Sequence, residues 1–420
     1  MEVSRRRLLG GALATAGAAG AAVVVSGCAD LGSPETGSAA AGGGASPLAP
    51  VRIPFAGPFQ AGVLQRPPAA GIVAALSVEA RDRAGLQDAL RSLTGAVRSV
   101  MDGTPSEELD PGFPALDSGV LGSAPPPNDV SVIVGFGASL FDDRFGLADQ
   151  KPVELEDMPF FGNDRLDPNR SHGDLALTVS AATPDAAMFA FRQVLRATRE
   201  HLVLRWMIEG YNAPIADPTP GGAPVRNLMG FKDGTFNLDV DDPEAMDRYV
   251  WVLPGGEEPA WAAGGSYQVT RIIRMFVEFW DRTRLAEQEG IIGKVKATGA
   301  SLGHDLETDI PDYTADPDGD IVPLTAHVRL ANPRTPETQD NLILRRGFSF
   351  TRGFDGAGRL DQGLLFSSFQ ASLASGFVAV QTRLDGEPLE EYIQVVGGGY
   401  FFAPPGVTTD DGYLGEGLFA

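Results

Sequence analysis

The sequence predicts an α+β protein built from two similar halves, each with a ferredoxin-like order of strands and helices. Segments with the apolar periodicity of strands alternate with segments that have the periodicity of helices, and the order in the first half recurs in the second. The 420 residues leave roughly 370 after an N-terminal segment of unusual composition, enough for two packed units.

The first 27 residues have the composition of a signal peptide. Arg5, Arg6 and Arg7 precede an Ala-rich apolar run that is too short and too weakly apolar to form a stable membrane span. Consecutive arginines at this place indicate the twin-arginine route, which exports proteins that are already folded. We therefore expect residues 1–27 to be removed and the protein to act outside the cytoplasm.

The only cysteine, Cys28, ends the sequence Val-Ser-Gly-Cys, which resembles a bacterial lipobox. In a lipobox the cysteine carries a lipid and becomes the mature N-terminus. The alternative is an incidental cysteine that is cut away with the signal. Residues 28–50 are rich in Gly, Ala, Ser and Pro, which is typical of a flexible tether. With one cysteine the chain forms no internal disulfide.

The charge balance is strongly acidic, with a formal net charge of −22. Removal of the signal arginines makes the mature chain more acidic still. This balance argues against nucleic acid and against an anionic membrane surface as partners. We expect contact with a membrane only through a lipid on Cys28, and the acidic surface favours cationic small substrates.

The first half opens with a predicted strand at residues 71–78, followed by a helix. Two further strands are predicted at residues 130–135 and 175–179. A second helix should begin at Thr183, where threonine caps the helix and Pro184 fits its first turn. The apolar faces of the two helices recur at helical spacing: Leu86, Leu90, Leu93, Val97 and Val100 in the first, and Met188, Phe191, Leu195 and Thr198 in the second.

The second half repeats this order without a close residue-level repeat. We predict a long strand at residues 266–280, with Ile273, Met275, Val277 and Phe279 on its apolar face and a mixed opposite face. A helix near residues 283–289, a strand at 364–369 and a helix at 371–384 follow. The halves are predicted to span residues 51–235 and 236–420. Long acidic loops at residues 239–265 and 306–320 are the kind that builds a site.

Common cofactor motifs are absent from the sequence. It has no Cys-x-x-Cys-His, no phosphate-binding Gly-x-x-x-x-Gly-Lys and no cysteine pair for zinc. With four histidines and one cysteine, a site with several histidine ligands is hard to assemble. Haem is the commonest cofactor that needs only one histidine, because the porphyrin supplies the four equatorial ligands.

Two segments carry side chains suited to chemistry. The first, residues 230–237, reads Gly-Phe-Lys-Asp-Gly-Thr-Phe-Asn and holds Asp233 between glycines that permit a tight backbone. The second begins at His327 and continues to the pair Arg345 and Arg346. Each alone has an ordinary explanation, since Asp-Gly is usually a turn, a lone histidine a structural group and an arginine pair a solvated face.

Together the segments resemble the dye-decolourising peroxidase family, most closely its exported deferrochelatase/peroxidase (EfeB-like) branch. Gly-x-x-Asp-Gly is followed about ninety residues later by His327 and then, eighteen residues on, by Arg345. Residues 135–146, 163–168, 171–175 and 397–402 also agree, and the resemblance covers residues 54–406. The resemblance implies a fold in which two ferredoxin-like halves form a dimeric α+β barrel.

The resemblance also implies a site. His327 would be the proximal ligand of one haem b per chain, with Asp233 and Arg345 on the distal side. The segments Gly234, Thr235 and Phe236, and Asn332, Pro333 and Arg334, would line the haem. Arg334 would pair with a propionate. Arg346 is the alternative to Arg345, and Gly347 stands where some relatives carry asparagine.

The implied activity is reduction of hydrogen peroxide with oxidation of dyes or other bulky donors. Asp233 would move a proton and Arg345 would stabilise the developing negative charge. One alternative is a deferrochelatase that releases iron from haem for uptake, with components of an iron-uptake system as partners. The other is a non-catalytic surface-binding lipoprotein. An absorption spectrum with a haem band separates the first two functions from the third.

Overall fold

The computed structural model of the chain describes residues 49–66, 68–106, 111–213 and 226–420. The predicted signal peptide and residues 28–48 of the predicted tether lie outside these residues. In the part that is described, no helix combines the length and the apolar character that a membrane crossing needs.

The first half, as described, has the order βαββαβ after a short initial helix. The elements in chain order are α1 (Ala61–Leu64), β1 (Ala70–Val78), α2 (Arg83–Asp102), β2 (Ser131–Gly137), β3 (Leu175–Ala181), α3 (Pro184–Thr198) and β4 (Leu202–Tyr211). The start predicted for α3 is confirmed, because the Thr183 hydroxyl accepts a hydrogen bond from the Ala186 amide at 3.2 Å. Strand β4 was not predicted; Arg205 and Glu209 are among its exposed residues, which obscures the apolar pattern.

The second half contains four barrel strands and several short helices. The elements in chain order are α4 (Pro243–Tyr249), β5 (Ser266–Met275), α5 (Val277–Trp280), α6 (Leu285–Ile292), α7 (His327–Ala331), β6 (Leu344–Arg345), β7 (Phe348–Phe354), β8 (Leu360–Gln370), α8 (Ala379–Leu384) and β9 (Ile393–Ala403). A π-helical turn, Ala374–Val378, leads into α8. The helix predicted at residues 371–384 therefore starts later, and β7 and β9 were not predicted.

The prediction of one strand over residues 266–280 is wrong. Strand β5 ends at Met275, and the amides of Phe279 and Trp280 both donate to the carbonyl of Phe276. Trp280 is fully buried and its indole Nε1 donates to the carbonyl of Met229 at 2.9 Å. The alternation of apolar residues is compatible with a strand, which is why a strand was predicted. In the fold, burial of the large Trp280 side chain turns the backbone out of the strand.

Eight strands close into an antiparallel barrel in the order β5, β9, β2, β3, β1, β4, β7, β8, and β8 pairs back with β5. Each half contributes four strands, in the orders β2-β3-β1-β4 and β7-β8-β5-β9, which are ferredoxin-like. The halves join where Phe136 pairs with Phe402 and where Tyr211 pairs with Ser349. The predicted α+β fold with two ferredoxin-like halves is thus confirmed.

The two faces of the barrel strands are both buried. In β1, Val73 and Ala75 belong to an inner cluster with residues of the other strands, whereas Ile72, Ala74 and Leu76 pack towards α2 and α3. Successive side chains of a strand point to opposite faces, so one strand serves both layers. The short strand β6 adds to β8 at the side of the barrel, where Arg345 pairs with Ser368. The division of the chain at residue 235 stays a prediction.

Candidate functional site

The loop of residues 230–237 connects the two halves and presents Asp233. Gly230 and Gly234 have φ angles of 85° and 95°, in the left-handed region that glycine adopts without strain. A Cβ on Gly230 would lie 2.6 Å from the side chain of Lys296. The two glycines therefore shape a tight turn with the carboxylate of Asp233 between them.

Asn237 fastens this loop to β6. Its side-chain amide donates to the carbonyl of Arg345, and its side-chain oxygen accepts from the amide of Arg345, both at 2.9 Å. The asparagine thus replaces a neighbouring strand and satisfies both backbone groups of Arg345. This contact fixes the position of the arginine relative to the loop.

Arg345 and Asp233 form an ion pair, with Arg345 Nη1 donating to Asp233 Oδ1 at 3.2 Å. Arg345 Nη2 donates to the carbonyl of Thr235 at 3.2 Å. Arg346 instead is buried, and its Nη1 donates to the carbonyl of Val63 at 3.1 Å. Of the two arginines it is therefore Arg345 that meets Asp233.

His327 begins α7, and its imidazole is held by the carboxylate of Glu387. Nδ1 lies 2.9 and 2.8 Å from the two oxygens of Glu387, whose side chain is only 4% exposed. Burial lowers the pKa of His327, but the Glu387 carboxylate outweighs that effect and the pKa is raised overall. Asp233 raises this pKa and Arg345 lowers it, so the three groups are within electrostatic reach of each other.

Arg334 and Phe236 form a second contact at the same loop. The guanidinium carbon of Arg334 lies 4.7 Å from the centroid of the Phe236 ring, and Tyr313 hydrogen-bonds to Arg334. Both Arg334 and Phe236 have positive φ angles, 60° and 57°. Such backbone costs about 1–3 kcal/mol per residue and is concentrated at functional sites. Asn332 stabilises this turn because its side chain accepts from the Arg334 amide at 3.2 Å, and Pro333 lies between them.

A chain of polar contacts borders the loop on its other side. Lys294 Nζ donates to Thr235 Oγ1 at 2.7 Å, and Thr235 Oγ1 donates to Glu307 Oε1 at 2.9 Å. The second oxygen of Glu307 forms an ion pair with Lys232. Glu307 therefore holds the loop on both sides of Asp233.

The structure brings together all the site residues predicted from the sequence around two contacts: His327 with Glu387, and Asp233 with Arg345. Four further residues were missed, namely Asn237, Lys294, Glu307 and Glu387. Asn237 lay within the recognised motif, but no sequence signal linked it to Arg345. The other three lie far from the motif in sequence and carry no local pattern. Their roles depend on contacts across the fold.

This arrangement suits a cofactor that takes one imidazole ligand. The bonds of the His327 imidazole within the described structure involve Nδ1, which leaves Nε2 to bind a metal. Asp233 can accept and return a proton, and Arg345 provides a fixed cation beside it.

Comparison with protein families matches both halves of the chain. Residues 60–212 match the N-terminal domain of the Dyp-type peroxidases, and residues 224–408 match their C-terminal domain. The chain is 45% identical over 421 aligned residues to a protein named deferrochelatase from Escherichia coli K12, covering 99% of this chain and 97% of the relative. It is 44% identical to a deferrochelatase from Shigella flexneri serotype 5b, with the same coverage.

Solved structures show the same similarity. The DyP-type peroxidase of Cellulomonas bogoriensis is 32% identical with a TM-score of 0.76, covering 90% of this chain and 99% of that one. The oxyferrous complex of DtpA from Streptomyces lividans is 34% identical with a TM-score of 0.78, covering 90% and 98%. The similarity therefore extends over both halves and the loop between them.

Proposed function

The chain belongs to the Dyp-type peroxidase family and is a haem peroxidase, and from this premise we propose that its His327 binds one haem b per chain. Asp233 and Arg345 then promote the reduction of hydrogen peroxide while dyes or other bulky donors are oxidised. The observation that carries the proposal is the ion pair of Asp233 and Arg345 within electrostatic reach of a histidine whose Nδ1 is held by a carboxylate. Both halves match the family, so the match of the motifs is not an accident. The alternative of a non-catalytic surface-binding protein is therefore excluded.

The residues present fit a haem. His327 offers Nε2, and Glu387 fixes the orientation of the ring and makes it a stronger ligand. Arg334 has a buried Nε without a hydrogen-bond partner in the described structure, which suits a carboxylate of the porphyrin. A haem bound here would supply the two electrons that reduce peroxide, and the donor would return them one at a time.

Two residues of the chain then transfer the proton of the peroxide and stabilise the negative charge that develops on it. The hydrogen bond between Asp233 and Arg345 uses Oδ1, so we assign Oδ2 to take a proton from the inner peroxide oxygen and give it to the outer one. The outer oxygen can then leave as water. The guanidinium of Arg345 stabilises the negative charge that develops as the oxygen–oxygen bond breaks.

Replacement of His327 with Ala tests the assignment of the ligand. The variant should bind haem weakly and with poor stoichiometry, and it should lose peroxidase activity. The absorption spectrum and haem content of the purified variant measure this, with His201→Ala as a control on the turn before β4. Normal haem content and an unchanged spectrum in the His327 variant would mean that another residue is the ligand.

A second function is iron release from haem, and the observation that favours it is the 45% identity to proteins named deferrochelatase. It would use the same pocket, with components of an iron-uptake system as partners. Incubation of the protein with haem distinguishes iron release from peroxidase activity. Accumulation of fluorescent iron-free porphyrin indicates iron release, whereas turnover of a dye with peroxide indicates the peroxidase.

We also propose export by the twin-arginine route and attachment to the membrane through a lipid on Cys28. The arginines at residues 5–7 and the lipobox-like sequence before Cys28 support this. Export after folding allows haem to be bound in the cytoplasm. Cys28→Ala should move the protein from the membrane fraction to the soluble fraction. A wild-type protein that is wholly soluble outside the cell would contradict lipidation and leave export intact.

A further inference from the structure

Lys294 is a buried cation beside the motif loop. It follows α6, forms an isolated bridge with Ser301, and is only 7% exposed. Its ammonium group donates to Thr235 Oγ1 at 2.7 Å. Thr235 belongs to the loop that carries Asp233, and its carbonyl accepts from Arg345. Lys294 therefore lies one side chain away from the distal ion pair.

The nearby carboxylates are already engaged by other cations. Asp233 pairs with Arg345, and Glu307 pairs with Lys232 and accepts from Thr235. Among the described residues, no carboxylate forms an ion pair with Lys294. Arg334 contacts Phe236 of the same loop, and it likewise forms no ion pair with a carboxylate of the described residues. Two cations beside this loop thus have no ion-pair partner among the described residues, one at Thr235 and one at Phe236.

An ammonium group taken out of water is costly unless an opposite charge pairs with it. A porphyrin with two propionates brings two negative charges, one for each of Lys294 and Arg334. We propose that the ammonium of Lys294 binds a carboxylate of the porphyrin, as the second cation of the site beside Arg334. This inference rests on the proposed function of the same site.

Such a contact makes retention of the porphyrin depend on pH. Burial, followed by the charge of Arg345, lowers the pKa of Lys294 to about 8; Lys232 acts in the same direction, and Asp233 and Glu307 act against it. A bound carboxylate favours the charged amine and raises that pKa. Below about pH 8 the amine is already protonated in the free protein, so its titration does not make binding depend on pH there. Above about pH 8, affinity falls by up to roughly tenfold per pH unit, because a proton must be taken up.

The test uses protoporphyrin IX without iron, whose binding to the cofactor-free protein is followed by fluorescence titration on both sides of pH 8. Lys294→Met should raise the Kd at neutral pH about tenfold to a hundredfold and abolish the pH dependence near pH 8. Lys294→Arg should keep most of the affinity and also lose this pH dependence, because a guanidinium stays charged. Lys296→Met is the matched control, since Lys296 Nζ donates to Gln288 instead, and it should follow the wild type.

The dimethyl ester of the same porphyrin identifies the partner of the amine. Wild type and Lys294→Met should bind the ester equally, and circular dichroism confirms that each variant is folded. Equal Kd values for protoporphyrin in wild type and Lys294→Met, or the same loss with the ester, would overturn the inference. A wild-type protein that binds neither this porphyrin nor haem would instead overturn the proposed function.

Discussion

Arg345 and Arg346 are adjacent in sequence and lie in opposite environments. Arg345 reaches Asp233 and the carbonyl of Thr235, whereas Arg346 is buried and donates to Val63. Spacing from His327 favoured Arg345 but left the neighbouring residue open. Their hydrogen-bond partners in the folded protein separate them. We therefore assign the catalytic cation to Arg345 and a packing role to Arg346.

The relative weight of Asp233 and Arg345 can be measured. A proton shuttle contributes about 10²- to 10⁴-fold and a fixed charge-stabilising donor about 10²- to 10³-fold. Water held in the pocket can carry a proton in place of Asp233, but no water replaces a guanidinium cation. We expect Arg345→Leu to slow peroxide cleavage at least as much as Asp233→Asn. Stopped-flow rates for both variants, with full haem loading confirmed, decide the order; a much slower Asp233 variant beside a nearly normal Arg345 variant would contradict it.

Glu387 acts through His327. Glu387→Gln keeps a group that can accept from Nδ1 but removes the negative charge that raises the pKa of His327. We expect the pKa of His327 to fall in the cofactor-free protein, and haem affinity or activity to fall about 10- to 100-fold. NMR titration of the histidine and transfer of haem to an acceptor protein measure these effects. Glu390→Gln, three residues away, is the control, and equal behaviour of the two variants would argue against this role.

The raised pKa of His327 determines how the stability of the cofactor-free protein changes with pH. The folded cofactor-free protein binds a proton at His327 more tightly than the unfolded chain does. The resulting stabilisation is complete at pH values below the pKa of the unfolded histidine and is lost as pH rises through the folded pKa. In Glu387→Gln the loss of stability should therefore be greater at acidic than at alkaline pH.

At the scale of elements, the site depends on how the motif loop meets β6. This strand has only two residues, and Asn237 supplies the hydrogen bonds that a neighbouring strand would otherwise provide to Arg345. A side chain of the loop therefore aligns the loop with the barrel. The sequence marks Asn237 as part of the motif, but only the fold shows what it holds.

Asn237→Ala should destabilise the protein and also misplace Arg345. Loss of the two hydrogen bonds costs about 1–3 kcal/mol, and the peroxide rate should fall even in fully loaded protein. The control is Gln60→Ala, because Gln60 makes a similar reciprocal pair with the backbone of Val134 in β2. That variant should lose stability without a change in the peroxide rate. An equal effect of the two variants on the rate would show that Asn237 acts only through stability.

At the scale of the whole molecule, a buried ion pair attaches a loop to the outside of the barrel. Arg271 in β5 pairs with Asp164, and both side chains are at most 2% exposed. The Arg271 guanidinium also lies 4.9 Å from the ring centroid of Phe161 and 5.6 Å from that of Phe377. Burial lowers the pKa of Arg271 and the charge of Asp164 raises it, so the carboxylate offsets part of the cost of burying the guanidinium. The pair thus links the segment around Asp164 with β5.

Asp164→Asn should leave the cation of Arg271 buried without its partner. Breaking a buried pair in this way costs about 3–5 kcal/mol, and the free energy of unfolding from urea titration should fall by that amount. Asp340→Asn, which breaks an exposed pair with Arg248, should have no measurable effect, because solvent screens that pair. Similar stability of both variants would show that the buried pair does not hold the loop.

The sequence alone was enough to predict the fold class, and it supplied the site residues that we propose. Apolar periodicity is local, so it predicted β1, α2, β3 and α3, and the motif around Asp233 with His327 and Arg345 was recognisable from spacing. The same local signal failed at residues 277–280, where Trp280 turns the chain, and at β4 with its exposed polar side chains. Element order alone predicted the two halves.

The remaining contacts depend on how the barrel closes. Closure of the barrel through β2 with β9 and β4 with β7 joins residues that are far apart in sequence, and no local pattern records such pairs. The same holds for Glu387 at His327, Asn237 at Arg345, and Glu307 and Lys294 at Thr235. A hydrogen bond between distant segments depends on where the barrel brings the backbone, and so does the burial that shifts the pKa of a side chain. Residue types and spacing therefore identify the chemistry, and packing determines which groups support it.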